Sequence, residues 1–290
     1  MRIAVGIATR GRAAILGETL ADIARQTREA DRIVVCHVTP DDVTGLAERF
    51  PHVEFITAPA GLPRQRNAIL DALGDCDAVL FLDDDFLAQP GYLAVTERVF
   101  EKQGDCVVTT GTVVADGAKG PGIPVEEGRA INAADAFDGD VTGFHSHFNG
   151  YGCNMALRLA PMRAHVLRFD ENLPLYGWYE DMDLTRRLGR FGTILRLHGA
   201  RGVHLGSKSG RVTQVKLGYS QVANCVYLAR KGSYPWDHAL WSAGRHLCMN
   251  ALRSVRPEPW ADRRGRLRGN LIAIGDLLRG RMHPMRALEL

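Results

Sequence analysis

Leu80-Phe81-Leu82-Asp83-Asp84-Asp85-Phe86 closes an apolar run, begun at Ala78, that opens onto three consecutive carboxylates. The run is short, lacks a helical polar break, and reads as a strand buried in a parallel sheet. Three like charges at its end are costly to crowd together unless a cation or a sugar hydroxyl meets them. Ligands of open α/β sheets bind in the crevice beyond the carboxyl ends of the strands, where these carboxylates fall. A plainer reading, a solvated turn whose Asp caps a helix, accounts for the same residues.

Upstream of this run, strands and helices alternate. Residues 2–9 (RIAVGIAT) read as a first buried strand, followed by the polar loop Arg10-Gly11-Arg12 and a helix marked by Ile15, Leu16, Leu20, Ile23 and Ala24. Residues 32–38 predict a second strand, Thr39-Pro40-Asp41-Asp42 a turn, and residues 53–57 a third strand. A helix over 62–73 carries Arg64, Arg66 and Asn67 on its first turns. Such alternation implies right-handed crossovers, hence an α/β fold with a mostly parallel sheet flanked by helices.

Downstream, a helix from Pro90 to Lys102 and a strand over 106–114 are predicted. From 115 to 148 periodicity vanishes, the mark of a functional or mobile stretch. A strand over 151–157, an aromatic loop over 169–179, a helix over 180–191 and a strand over 192–197 follow, then an irregular segment holding His204. Three helices are expected over 212–230, 236–255 and 260–279, with Pro257 and Pro259 between the last two.

With 290 residues, 46% hydrophobic and 24% charged, the chain suits one large α/β domain, or one domain with a C-terminal appendage. Net charge is +3, which excludes a strong polyanion binder. The charge is uneven: residues 245–290 hold ten arginines, no lysine and four acids, a net of +6, which leaves the rest at −3. The six cysteines form no C-x-x-C pair, which argues against a zinc site and a secreted disulfide framework. Cys36, Cys76 and Cys106 sit in or near apolar segments and are expected to pack as small apolar residues. With no visible signal peptide and no apolar stretch approaching 18 residues, the expected setting is cytoplasmic.

A second carboxylate group is Trp178-Tyr179-Glu180-Asp181-Met182-Asp183-Leu184. Asp181 falls in the first turn of a helix, where the dipole favours an anion, and could serve as a general base for an acceptor hydroxyl. Capping by acidic residues explains the same pattern.

Taken in order, these elements resemble the bacterial GT-A glycosyltransferases of family 2. The resemblance rests on Thr9-Arg10-Gly11-Arg12, Arg66-Asn67, Asp83-Asp84-Asp85, Gly152-Cys153-Asn154, Phe169-Asp170-Glu171 and Tyr179-Glu180-Asp181-Met182-Asp183-Leu184 with Arg187 behind it. It covers roughly residues 1–210. It implies a catalytic GT-A (Rossmann-like) domain over 1–210, its nucleotide-sugar half about 1–115 and its acceptor half about 116–210, with a helical extension over 211–290, basic from about 245. By the same resemblance Asp83 contacts the ribose, and Asp85 a divalent cation, Mn²⁺ or Mg²⁺, on the diphosphate. Thr9 and Arg12 border the base, Arg66 and Asn67 flank base and ribose, and Asn154 completes the donor site. Asp181 is the catalytic base, with Glu180 beside it for the acceptor, and His204 a late metal or diphosphate ligand.

The implied reaction is inverting transfer from a nucleotide sugar to a hydroxyl of a glycan or lipid-linked saccharide, in polysaccharide or glycoconjugate assembly. The chain departs from the family pattern after strand two, where a uracil-binding Asp is common. Here the segment is Cys36-His37-Val38-Thr39, with Asp41 and Asp42 the nearest carboxylates. A UDP-sugar is favoured, with GDP and dTDP open. Phe86 replaces an additional Asp and is expected to narrow the floor of the donor site. His145 and His147 could touch phosphate or sugar, and Trp178 and Tyr179 could stack on the acceptor sugar. Leu267, Leu271, Ile274 and Leu278 with nearby arginines suit an amphipathic helix on an anionic membrane, or packing on protein. A nucleic-acid partner has no matching motif. The rival functions are a sugar-nucleotide pyrophosphorylase, whose Gly-rich loop and Lys are missing near strand one, and a non-catalytic nucleotide-sugar or glycan-binding module.

Overall fold

The computed structural model describes residues 1–208 and 213–290. Strand β1 (Ile3–Ala8), helix α1 (Ala13–Ile23), β2 (Arg32–His37), the short α2 (Leu46–Arg49), β3 (Val53–Thr57), α3 (Leu62–Ala72) and β4 (Ala78–Asp83) alternate as the sequence pattern predicts. The strands form the parallel part of one sheet in the order β3-β2-β1-β4. Ile3, Val5 and Ile7 pack in one cluster with Leu16, Leu20 and Ile23 of α1. Each such burial is worth about 1.5–3 kcal/mol, so this packing seats α1 and the loop before it. Gly6 is required by a close approach, since a Cβ there would stand 2.8 Å from Ile69 Cγ2.

The chain continues through β5 (Phe86–Ala88), α4 (Tyr92–Lys102), β6 (Cys106–Asp116), α5 (Val125–Ala134), β7 (Phe144–Ser146), β8 (Asn154–Arg158), α6 (Leu159–Ala164), α7 (Glu180–Leu188) and β9 (Thr193–His204). Here the sheet is mixed, in the order β4-β8-β6-β9-β5, with β7 on β9. β8 enters antiparallel between β4 and β6, while β9 runs parallel to β6.

Residues 115–148 are less irregular than expected. They complete β6 and hold α5 and β7. Helix α5 offers only a narrow apolar stripe, Val125 and Ile131, to a small cluster of Leu87, Val203 and Leu205, too weak a period to read in sequence. β9 also runs past the expected end at 197. Register shifts against β6 let it pass that strand and reach β5.

The chain divides into two compact units. The first comprises Met1–Ala60, Arg64–Arg168 and Thr185–Gly210; the second comprises Gly61–Pro63, Phe169–Leu184 and Arg211–Leu290. The expected domain boundary at 210/211 and the expected helix start at Val212 lie outside the described residues. The second unit holds α8 (Gln214–Lys231), α9 (Trp236–Arg253) and α10 (Arg263–Leu278). Helices α8 and α10 meet at glycines: a Cβ on Gly218 would overlap the Arg266 carbonyl, and one on Gly269 the Val215 carbonyl. The apolar residues of α10 do not form one buried stripe. Ile274 packs on the core of Tyr219, Val222 and Ala223, whereas Leu271 and Leu278 are 56% and 84% exposed.

Candidate active site

Strand pairing assembles the site in the first unit. Asp83 ends β4 opposite Ala8, the last residue of β1. β5 sets Phe86 opposite His204, and β6 sets Asp116 opposite the same residue. The Leu205 N–H donates to the Asp85 carbonyl at 2.9 Å. Residues far apart in sequence thus converge at strand ends. One ligand atom from each of Asp83, Asp85 and His204 lies within 4.8 Å of the others.

His204 is buried among carboxylates. Its Nδ1 lies 2.9 Å from Asp116 Oδ1, and its Nε2 lies 3.4 Å from Asp85 Oδ1 and 3.8 Å from Asp83 Oδ2. Burial works to lower its pKa, but Asp116, Asp85 and Asp83 hold it at about 10. A divalent ion would take over the role of that proton's charge. Burial likewise works to raise Asp116, yet His204, the Ala118 N–H and Lys119 draw it down to about 2. Asp85 is lowered against its burial by His204, Arg12 and the Ser207 N–H, which donates at 2.7 Å.

The residues fit a cation. Asp85 Oδ1 is buried and accepts no hydrogen bond among the described residues. Two carboxylates and an imidazole nitrogen converging on one point suit an ion that accepts both oxygen and nitrogen ligands.

Asp84, for which the sequence suggests no task, is an anchor. It accepts from Thr9 Oγ1 at 2.7 Å and from Arg12 Nη1 at 2.8 Å, while its carbonyl accepts from Thr19 Oγ1 at 2.8 Å. Burial pushes its carboxyl pKa upward against the pull of Arg12. Thr9 and Arg12 therefore sit at the strand end, with Arg12 Nη1 3.8 Å from Asp85 as well. Arg66 is 2% exposed; its Nη2 donates to Asp83 Oδ1 at 3.1 Å and to the Gly152 carbonyl at 2.6 Å. Asn67 is buried. Asn154 is buried too, pairing with Leu82 across the sheet and accepting from Thr110 Oγ1 at 3.0 Å. Asp41 is exposed, whereas its neighbour Asp42 accepts from the N–H groups of Gly11, Val38 and Thr39 and ties two loops together. Phe86 does not narrow a site floor. It is fully buried in the core, edge-on to Tyr92 at 6.0 Å. Asp116 and Tyr151 were not legible as site residues. The available signal was a second apolar run ending in a carboxylate, Val113-Val114-Ala115-Asp116.

The His145–His147 pair lies elsewhere in this unit. His145, on β7, has Nδ1 2.9 Å from His198 Nε2, and it does not join the carboxylate cluster.

Trp178, Glu180 and Asp181 belong to the second unit. Trp178 lies within, and Glu180 and Asp181 follow, a turn in which Leu175, Gly177 and Tyr179 all have positive φ, 63°, 64° and 72°. Such backbone costs on the order of 1–3 kcal/mol at each non-glycine residue and gathers at functional sites. Gly177 could not be another residue without crowding Pro63 and Glu180. The turn aims the first turn of α7. There Glu180 and Asp183 are buried and Asp181 is the half-exposed acid. The Trp178 ring lies 5.4 Å from both Tyr179 and His246, and its carbonyl accepts from Asn224. Asp170 is clamped by Lys231, Tyr227 and the Asn172 N–H.

A carboxylate cluster at the strand ends of a mixed α/β sheet is what the GT-A resemblance implies. Residues 4–165 match the sequence model of glycosyl transferase family 2, and the chain belongs to that family. That membership supports glycosyl transfer and counts against the pyrophosphorylase reading. No curated protein sequence matched the chain. Among solved structures it is similar to S. aureus TarS, at 15% identity over 89% of this chain and 44% of that one, with a TM-score of 0.55. The 1–349 piece of TarS aligns at 13% identity over 97% of this chain and 92% of that one, TM-score 0.54. GalNAc-T7 with UDP, GalNAc and Mn²⁺ aligns at 12% identity over 96% and 56%, TM-score 0.60. The chain thus spans under half of the longer TarS chain. These likenesses show the GT-A fold.

Proposed function

We propose that the protein is a metal-dependent, inverting glycosyltransferase. It moves a sugar from a nucleoside diphosphate, UDP favoured, to a hydroxyl of a glycan or lipid-linked saccharide in bacterial-type polysaccharide or glycoconjugate assembly. The observation that carries the reading is the convergence of Asp83, Asp85 and His204 at the strand ends of a family 2 fold. These three would hold Mn²⁺ or Mg²⁺, which would supply the Lewis acid that neutralises the departing diphosphate. The imidazole nitrogen in the set favours Mn²⁺, the ion named with GalNAc-T7.

The chain's own residues do the rest. Arg66 fixes the Asp83 carboxylate toward the ribose, and Asp84 locks Thr9 and Arg12 into the wall that borders the base. Asn67, Asn154 and Asp41 complete the donor side. Asp181 takes the proton of the attacking hydroxyl, with Trp178 and Glu180 on the acceptor side; its partial exposure at a helix N-terminus supports an ionised, reachable base.

No helix among the described residues is long and apolar enough to cross a membrane. Contact with an anionic membrane surface is proposed instead for α9 and α10. Trp236, Leu240, Trp241, Leu252 and Leu278 are exposed, as are Arg245, Arg256, Arg264, Arg268 and Arg279. The nearby acids Glu258 and Asp276 are already paired with Arg253, Arg263, Arg281 and Arg286.

The reaction is tested with Asp181→Asn. Transfer is expected to fall about 10²- to 10⁴-fold with donor binding retained in calorimetry. Unimpaired transfer would remove Asp181 as the base, and a product that keeps the donor's anomeric configuration would exclude inversion.

A further inference from the structure

We infer that Asp116 is a positioning residue that sets the orientation of His204 for cation binding, with Tyr151 closing the chain behind it. The inference rests on the reading of Asp83, Asp85 and His204 as a cation site, and assigns a function to a carboxylate outside that set. Three observations support it.

The first is a directed relay. Asp116 Oδ1 receives the His204 Nδ1–H at 2.9 Å, and Asp116 Oδ2 receives the Tyr151 hydroxyl at 3.1 Å. With Nδ1 committed to Asp116, Nε2 is the ring nitrogen that faces Asp83 and Asp85. Carboxylates behind metal-bound imidazoles act in this way, fixing the tautomer and raising ligand basicity.

The second is that Asp116 itself cannot swing away. Its carboxylate also accepts the Ala118 N–H at 3.1 Å, capping the short turn that follows β6. The residues around that turn interlock with the stretch after His204. A Cβ on Gly117 would overlap the Leu205 carbonyl, and one on Gly206 the Ala118 nitrogen. The Ile123 N–H donates to the Leu205 carbonyl at 2.8 Å, and Lys208 Nζ reaches the Gly117 carbonyl at 3.0 Å. The donor and acceptor of the relay are therefore carried on two backbones held in fixed register.

The third is placement. The ring of Tyr151 stands edge-on to His204, centroids 6.3 Å apart and planes at 89°, and is 38% exposed. It precedes Gly152, whose carbonyl is held by Arg66, the residue that also holds Asp83. Both Asp83 and His204 are thereby backed from the same loop. Asp83 is held through Arg66 and His204 through Asp116.

The test measures Mn²⁺ binding by electron paramagnetic resonance of the free ion, using the full chain without donor or acceptor. Asp116→Ala is expected to weaken Mn²⁺ binding on the order of 10- to 100-fold. Asp116→Asn keeps an acceptor for Nδ1–H but loses the charge, and is expected to give a smaller loss. The discriminating measurement repeats Asp116→Ala in a His204→Ala background, where its effect should nearly vanish because it acts through the imidazole. An equal loss in both backgrounds would show a general effect on the fold and overturn the assignment. Unchanged Mn²⁺ affinity in both single Asp116 variants, each folded by circular dichroism, would overturn it too. Absence of Mn²⁺ binding by the unmodified chain would instead bring down the cation site, and the positioning role with it.

Discussion

Replacing Lys231 by Met should remove the cation shared by two carboxylates in the second unit. Lys231 Nζ lies 2.5 Å from Asp170 Oδ2 and 2.8 Å from Asp183 Oδ2; the lysine side chain is 26% exposed, the carboxylates 10% and 0%. Burial works to raise the Asp170 pKa, but Lys231, the Asn172 N–H and Tyr227 bring it from 3.8 to about 2. At 1.36 kcal/mol per unit, that depression is worth about 2 kcal/mol at neutral pH. Removing one partner of a buried pair costs about 3–5 kcal/mol, and the partial exposure of Lys231 places this case near the low end, about 3 kcal/mol. Because the folded-state pKa is depressed, the stabilisation is fully present above 3.8 and is lost as pH falls through about 2. Urea denaturation at pH 7 and pH 3 should therefore show a gap of about 3 kcal/mol between the parent and Lys231→Met at pH 7. The part of that gap due to Asp170 should shrink to roughly half at pH 3. A gap below about 1 kcal/mol at pH 7, or one that does not change with pH, would refute the reasoning. The same clamp holds the segment carrying Asp181, since Asp170 and Asp183 flank it in sequence.

Two further outcomes are expected. Gly269→Ala should destabilise the second unit by about 1–3 kcal/mol in thermal melts, because the added Cβ meets the backbone of α8. Gly275→Ala, whose Cβ would meet only the flexible Arg279 at 3.0 Å, should stabilise by up to about 1 kcal/mol; the reverse order would refute the glycine crossing. Sedimentation with anionic liposomes at low salt should carry the protein down, Trp241→Ser should weaken that binding, and added salt should release it. No binding at low salt would remove the membrane proposal.

Much of the site's location was legible along the chain. The run Ala78–Asp83 announces a buried strand by its unbroken apolarity, and the carboxylates after it lie where ligands of α/β sheets bind. The first four strands obey the same logic, each followed by a crossover helix or turn. Thr9, Arg12 and Arg66 are placed in the donor site only by the family resemblance that their motifs carry.

The contacts that shape the site were not legible, because they depend on pairings between segments that carry little local signal. β5 is only three residues long, and β9 needs bulges against β6 to bring His204 beside Asp85. Asp84 looked like an idle member of a triplet, yet it is the anchor of Thr9 and Arg12. Phe86 was expected to narrow the floor of the donor site, yet it opens β5, pairs with His204 and is buried in the core. Nothing local to α10 announces that the backbone of α8 occupies the space a Cβ at Gly269 would need. From the sequence alone came the strand that presents the carboxylates, since apolar periodicity is a property of neighbours in the chain. Only tertiary structure decided which of those carboxylates anchors the loop, which converge and which histidine joins them, since these depend on register between strands as far apart as Phe86 and His204.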